Sequence, residues 1–196
     1  MILIGCEESG VITNAFRKAG YEAFSCDLKP TRGNPDWHRQ GDVKQAIRER
    51  NWDLIIVHPD CTAMAVSGNR TYGKGKFKYQ ERCDQVKWTL NLWALCKDHS
   101  PRAALENPVS VIFPVIQKGC GDEVCYVQPW EHGHGETKRT GFALHNLPAL
   151  KPSNIVEGRE QRVWKMGPSE NRKRDRSRTF EGIADAIVNQ WGSTIQ

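Results

Sequence analysis

Apolar positions along the first hundred residues follow two alternating rhythms. Met1-Ile2-Leu3-Ile4 is a short apolar run closed by Gly5, and residues 10–19 then carry Val11, Ala15, Phe16 and Ala19 at helical spacing before Gly20. Residues 21–26 alternate like a strand and end at Asp27, and a loop containing Pro30, Gly33 and Pro35 follows. A charged helix runs from Asp42 to about Arg50. Residues 52–57 (Trp52-Asp53-Leu54-Ile55-Ile56-Val57) form a strand of the kind buried on both faces, stopped at His58-Pro59. Val86, Leu90, Trp93 and Leu95 place a helix over 83–97, and Arg102-Ala103-Ala104-Leu105 reads as a further strand ended by Glu106-Asn107-Pro108. Strand–helix units of this length predict an α/β fold, a mostly parallel sheet with helices on both faces.

That frame gives the polar residues their meaning. Glu7, Asp27, Asp42, Cys61 and Glu106 all fall just past the ends of predicted strands. In an open parallel sheet those ends border the ligand-binding crevice. Any one of them alone reads as a turn or capping residue, whereas five converging reactive or charged groups point to a site. After about residue 147 the chain becomes rich in Pro, Arg and Lys, until Gly182-Ile183-Ala184-Asp185-Ala186-Ile187-Val188 returns to a helix expected to pack on the sheet.

Composition narrows the class without choosing a function. A chain of 196 residues with 38% hydrophobic residues and seven Trp has the length and core of one folded domain, so disorder is excluded. No apolar run is long enough to span a bilayer, and the start leads straight into Gly5-Cys6-Glu7-Glu8, unlike a signal peptide. Seven irregularly spaced Cys suit free thiols in a reducing compartment, which places the domain in the cytoplasm with no membrane partner. The net charge of +5 is unevenly placed: Arg159, Arg162, Lys165, Arg172, Lys173, Arg174, Arg176 and Arg178 stand among only Glu160, Glu170 and Asp175. The remainder of the chain is neutral. A second cluster, Arg70, Lys74, Lys76 and Lys78, is interleaved with Tyr72, Phe77 and Tyr79. Basic residues among aromatics suit a polyanion with stackable bases, and a solvated face or mobile loop is the alternative.

The sharpest chemical signal is the run from Asp53 through His58-Pro59-Asp60-Cys61-Thr62 to Ser67-Gly68, in which a strand feeds a Pro-containing turn that presents a Cys. The second is Leu105-Glu106-Asn107-Pro108 at the end of another strand. Together they resemble the DNA (cytosine-5) methyltransferase family, with its Pro-Cys nucleophile and Glu-Asn-Val acid motifs, and are most similar to short cytosine-methyltransferase-like proteins of phages and prophages. Further motifs fall in the family's order across nearly the whole chain.

The resemblance implies a Rossmann-like, S-adenosylmethionine-dependent methyltransferase acting on DNA, duplex or single-stranded, in a bacterial host cytoplasm and encoded by a phage or prophage. Cys6, Glu7, Glu8, Ser9 and Gly10 would form the cofactor loop, Asp27 would hold the ribose, and Asp42, Val43 and Pro59 would complete the cofactor site. Cys61 would be the nucleophile, Glu106 the acid and Lys138 a charge near the base or its phosphate. Asn107, Ser67, Gly68, Arg70, Lys74, Lys76, Arg172 and Arg174 would bind substrate, and residues 69–80 would be the mobile active-site loop. The same division gives a cofactor and catalytic core over 1–146, a basic segment over 147–181 and a closing helix over 182–192.

The chemistry needs these residue types. A thiolate must add to C6 before C5 becomes nucleophilic, and an ordinary thiol, with a pKa of about 8.5, needs help to ionise. A carboxyl group beside the ring can protonate N3 as charge accumulates there.

Three features depart from the family pattern. The cofactor loop is poorer in Gly. Glu136-Thr137-Lys138-Arg139-Thr140 replaces Gln-x-Arg-x-Arg, so that Lys138 stands where the family has Arg. Fewer than 50 residues separate Thr140 from Gly182, where relatives carry a long target-recognition region. The same fold acting on a free nucleotide, a single strand or a pre-modified base is therefore one alternative, and a catalytically silent nucleic-acid binder is another. Cys120, Cys125, His132 and His134 are possible metal ligands, but their spacing is not that of structural zinc, and they read as loop residues with no metal.

Overall fold

The computed structural model describes residues 1–170 and 172–195, the side chains of Lys173 and Arg174 excepted. Seven strands, β1 (Ile2–Gly5), β2 (Ala23–Asp27), β3 (His38–Gln40), β4 (Leu54–Val57), β5 (Ala103–Pro108), β6 (Glu123–Val127) and β7 (Thr140–His145), form one sheet in the order β3-β2-β1-β4-β5-β7-β6. The first five are parallel, with Ile2 beside Ala23 and Leu54, and β7 runs antiparallel between β5 and β6. The strand order reverses direction at β1 and β4, so their C-terminal ends open a crevice.

The two-residue period of the strands sorts the core into two layers. Ile2, Ile4, Leu54, Ile56 and Phe142 face α1 (Val11–Lys18) and α8 (Glu181–Trp191), meeting Ile12, Phe16, Ile183, Ile187 and Trp191. Leu3, Ile55, Val57, Leu105 and Ala143 face α2 (Val43–Arg48), α4 (Tyr79–His99) and α5 (Ile112–Cys120), meeting Ile47, Leu92, Trp93, Phe113 and Ile116. Burial on both faces is why β1 and β4 read as unbroken apolar runs. The large side chains keep their polar atoms paired: the Trp191 Nε1–H donates to the Pro148 carbonyl at 2.9 Å, closing the final helix onto the sheet.

The expected α/β architecture is present, with corrections in detail. The helix expected over 83–97 begins earlier and ends later as α4, and the one after Asp42 stops at Arg48. Strands β3, β6 and β7 escaped the sequence pattern. Short helices α3 (Asn69–Tyr72), α6 (Arg162–Lys165) and α7 (Arg172–Ser177) complete the described chain. Residues 132–136 bridge to 154–160 through His132↔Asn154 and Glu136↔Glu160, which ties the basic segment to the chain leading into β7.

Candidate functional site

A cleft of about 1460 Å³ runs along the C-terminal ends of the parallel strands. Cys6, Glu7, Glu8, Ser9, Asp27, Asp42, Val43, Pro59, Cys61, Ser67, Gly68, Glu106, Lys138 and Arg172 all line it. The loops after β1, β2, β3 and β4 and the C-terminal end of β5, which extends through Glu106 to Pro108 instead of stopping at Leu105, thus bring together residues that are far apart in sequence.

The loop after β1 is built around buried charge. Cys6 takes a left-handed conformation (φ 58°), which turns the chain away from the strand. The Glu7 carboxylate accepts from the Ile12 N–H at 2.7 Å, the Thr13 N–H at 3.3 Å and the Thr13 hydroxyl at 2.6 Å. Both oxygens are therefore committed to the first turn of α1, whose N-cap Gly10 offers no side chain. Burial pushes the Glu7 carboxyl above the usual range, against the opposing pull of His58 and these donors. Glu8 pairs with Arg32 at 3.2 Å and fastens the loop after β2. Gly10 (φ 68°) passes so close to Gly33 that a Cβ would lie 3.0 Å from the Gly33 Cα. Its role is this crossing, and it stands outside the cleft walls.

The part of the cleft around Cys6 is acidic. Burial first, and then the charges of Asp27, Cys26, Asp42 and Asp60, push the Cys6 thiol up to about 12. Asp27 accepts from the Lys29 N–H at 2.9 Å, and Asp42 caps α2 through the Lys44 N–H at 2.8 Å. Val43 and Trp88 supply an apolar wall here, and the Lys44 ammonium lies 4.7 Å from the Trp88 ring. Carboxylates at the ends of β2 and β3 are acceptors for a ribose diol and for cationic groups, and the apolar wall suits an aromatic ring. This donor set fits S-adenosylmethionine.

The opposite part is built around Cys61, Glu106 and Lys138. Cys61 sits in the turn after β4, and its carbonyl accepts from the N–H groups of Met64 and Ala65 at 3.0 and 2.8 Å. Burial, Glu106 and Asp60 push its thiol up, while a backbone hydrogen bond and Lys138 act in the opposite direction. Burial likewise lowers Lys138, with Glu106 and Cys61 favouring its charged form and Arg176 opposing it. The Lys138 ammonium donates to the Arg178 carbonyl at 3.0 Å. His58, one residue before Pro59, lies with Nδ1 at 3.2 Å from Glu106 Oε2. Asn107 is fully buried, and its amide donates to the Pro59 carbonyl at 3.0 Å and the Glu106 carbonyl at 3.2 Å. It binds the two strand-end turns to each other and does not line the cleft.

The basic segment forms a wall of this same cleft: Trp164, Arg172, Arg176 and Arg178 line it beside Lys138. The Arg174 side chain lies outside the described residues. Arg70, Lys74 and Lys76 stand outside the cleft walls, on the chain that follows Gly68. The turn after Cys61 is held from α4: the buried Arg82 donates to the Ala63 carbonyl at 2.6 Å, the Ala65 carbonyl at 3.3 Å and Asn69 Oδ1, at the start of the loop over 69–80, at 2.8 Å. His132 meets Ser153 Oγ at 2.9 Å, and His134 Nε2 accepts from the Gly182 N–H at 3.1 Å at the start of α8. Among the described residues no three His, Cys, Asp or Glu gather as a metal site.

Sequence reasoning missed Asp60, Trp88, Trp164, Arg176 and Arg178 as cleft residues. Asp60 was readable from its place beside Cys61 in the turn after β4, and Trp88 from lying off the apolar stripe of its helix.

No family model matches the sequence, and no curated protein matches it. Among solved structures, the chain is similar to a candidate DNA modification methyltransferase encoded within an E. coli prophage, with TM-score 0.51 and 11% identity over 85% of this chain and 55% of that one. The Entamoeba histolytica methyltransferase EhMeth gives 0.49 and 13% over 82% and 56%, and the S. pombe Dnmt2 methyltransferase gives 0.45 and 14% over 98% and 65%. The chain thus spans less than two thirds of each of these structures. The first likeness establishes a methyltransferase fold, in agreement with the architecture expected from the strand-end motifs.

Proposed function

We propose that the chain transfers a methyl group from S-adenosylmethionine to C5 of a cytosine in DNA, through a covalent bond between Cys61 and C6 of the ring. The observation that carries this reading is the convergence of Cys61, Glu106 and Lys138 on one wall of a cleft whose other part is acidic and apolar. Asp27 and Asp42, with Val43, Pro59 and Trp88, would hold the cofactor, which supplies an electrophilic methyl carbon on a sulfonium.

Cys61 must lose its proton to attack C6. As the S–C6 bond forms, electron density moves toward N3 and C5, and Glu106 would hold or deliver a proton at N3. Lys138 and the arginines beside it offset negative charge on the ring or on the phosphate of the same nucleotide. Once C5 carries the methyl group, water in the cleft would take the C5 proton, the C–H electron pair would form the C5=C6 bond, and the S–C6 pair would leave on Cys61 as thiolate. Arg82 keeps the nucleophile turn rigid while this happens.

A second reading changes only the substrate. The basic segment lines the catalytic cleft itself, and Trp164 stands in the same wall. A single strand or free nucleotide can be held by such a wall through stacking and phosphate contacts. The deciding experiment offers labelled S-adenosylmethionine with duplex DNA, single-stranded DNA and dCTP to wild type and Cys61→Ser, followed by nucleoside mass spectrometry. The expected product is 5-methyldeoxycytidine from wild type alone; full transfer by Cys61→Ser would defeat the covalent reading. Tight calorimetric binding of S-adenosylhomocysteine is expected, and its absence would favour a silent nucleic-acid binder.

A further inference from the structure

Glu160 and Arg178 are fastened to consecutive residues of one short stretch. The Thr137 N–H donates to the Glu160 carbonyl at 2.8 Å, and the Lys138 ammonium donates to the Arg178 carbonyl at 3.0 Å. The chain between them is therefore a loop closed at its base, and α6 and α7 lie within it. α6 is pinned from the same stretch: the Arg162 Nε–H donates to Glu136 Oε1 at 3.1 Å, and the Glu136 side chain is 14% exposed. α7 is tied to the end of α6 by the Arg172 Nε–H, which donates to the Met166 carbonyl at 2.8 Å.

These ties set an order of side chains along the cleft wall. Lys138 stands within electrostatic reach of Cys61 and Glu106 on one side and of Arg176 on the other. Arg176 and Arg172 are four residues apart on α7, which makes them neighbours on one helix face, about 6 Å apart. Arg172 in turn reaches Met166, two residues beyond Trp164. Trp164 lines the same cleft and is 70% exposed, so the fold leaves a large aromatic face open toward a ligand. Lys138, Arg176 and Arg172 thus lead from the thiol and the carboxyl to an open indole.

We infer that this wall is a track for single-stranded DNA: with the acceptor cytosine at Cys61 and Glu106, the backbone phosphates follow Lys138, Arg176 and Arg172, and a further base of the same strand stacks on Trp164. The inference rests on the methyl-transfer reading for the position of the acceptor cytosine. A free nucleotide carries one base, and with that base at Cys61 the indole has nothing to stack on. In a duplex each base is covered on both faces by its neighbours, so a second base would have to leave the stack along with the acceptor. An unpaired strand offers the open base and the successive phosphates together.

Fluorescence anisotropy without S-adenosylmethionine tests the track, with a labelled single strand carrying one cytosine, the duplex of the same sequence, and dCTP as competitor. Trp164→Ala should bind the single strand about 5–150-fold more weakly, with an unchanged slope of log K against log salt because no phosphate contact is lost. Trp164→Phe, which keeps a stacking face, should recover most of that affinity. Duplex binding and competition by dCTP should be the same in Trp164→Ala and wild type. A single abasic site moved along the strand should find one position near the cytosine that costs wild type a similar factor and costs Trp164→Ala nothing further. Wild-type affinity in Trp164→Ala, an equal loss on single strand and duplex, or no single-strand binding by wild type would each overturn the track. The methyl-transfer reading fails separately: a selective loss in Trp164→Ala, with no 5-methyldeoxycytidine formed by wild type from any cytosine substrate, upholds the track and defeats that reading.

Discussion

Replacing Arg82 with Met tests whether the nucleophile turn is held in place from α4. The guanidinium is 7% exposed and makes three hydrogen bonds, to the carbonyls of Ala63 and Ala65 and to Asn69 Oδ1. Each charge-assisted bond is worth about 1.5–3 kcal/mol, but desolvating the guanidinium offsets part of that, and the Met stem keeps the apolar contacts. The net loss is about 2–4 kcal/mol, because the Ala63 carbonyl loses its donor in a place water reaches poorly and the Ala65 carbonyl is left with the Gly68 N–H. For a chain of this size that is a fall in Tm of roughly 4–16 °C. Thermal unfolding followed by circular dichroism measures it, and Arg82→Lys, able to reach only part of the set, should fall between the two. The functional consequence is read from Cys61, which should alkylate faster once its turn loosens. A Tm within about 2 °C of wild type, with unchanged alkylation, would refute the reasoning and assign the turn's rigidity to the bonds from Val66 to Val109 and from Val111 to Met64.

Three more predictions follow from the same geometry. Glu7→Ala removes the cap of α1 and should cost about 1–2 kcal/mol at pH 5 by urea unfolding. Since burial holds the folded Glu7 above its unfolded value, this difference should be widest below about pH 4 and narrow as the pH rises; a constant difference would contradict it. The raised Cys61 thiol should alkylate with iodoacetamide more slowly at pH 8 than free cysteine; Glu106→Gln, by deleting a negative charge, should accelerate it, and Lys138→Met should slow it further. The opposite ordering would place the thiol in a different field. Arg176→Ala should weaken binding to single-stranded DNA about equally for different sequences and reduce the slope of log K against log salt by about 0.7, measured by fluorescence anisotropy, whereas an unchanged slope would remove Arg176 from the phosphate contacts.

What the sequence disclosed and what it hid divide along physical lines. β1, β4 and β5 were legible because a strand covered on both faces must be apolar throughout, and the polar residue that ends each one is then conspicuous. That logic located Cys61 and Glu106, while Asp27 closed the alternating strand β2 and Asp42 stood at the start of a charged helix. β6 lies at the sheet's edge with Glu123 and Tyr126 exposed, and β3 is three residues long, so neither presents such a run. Position past a strand says where a side chain begins, not what it meets. Glu7 begins in the crevice and turns back to cap α1, and Asn107 begins there and is buried against Pro59. Arg82 reads as a surface residue of a helix and is an internal clamp. The pairing of His58 with Glu106 joins residues 48 apart, which no local pattern can reveal.

On the proposed reading, the distribution of charge explains how one small cleft would serve two ligands of opposite sign. Around Cys6, the acids Asp27, Asp42 and Asp60 create a negative field strong enough to push that thiol up, and a sulfonium compound bearing an ammonium group is drawn to it. Across the cleft, Lys138, Arg172, Arg176 and Arg178 create a positive wall for a polyanion. Cys61 and Glu106 lie where the two fields meet. The acidic side raises the thiol and the basic side lowers it, so each ligand that binds alters the balance: a cation bound near Asp60 reduces the negative field on Cys61, whereas a phosphate on the basic wall weakens the help from Lys138. On the proposed reading, activation of Cys61 is thereby coupled to occupation of the acidic half by a cation. The order of binding that favours attack is then the one that fills the acidic half before or together with the base. It also follows that Cys61 should alkylate faster when S-adenosylmethionine is bound without substrate, provided the reagent still has access, than when only nucleic acid is present.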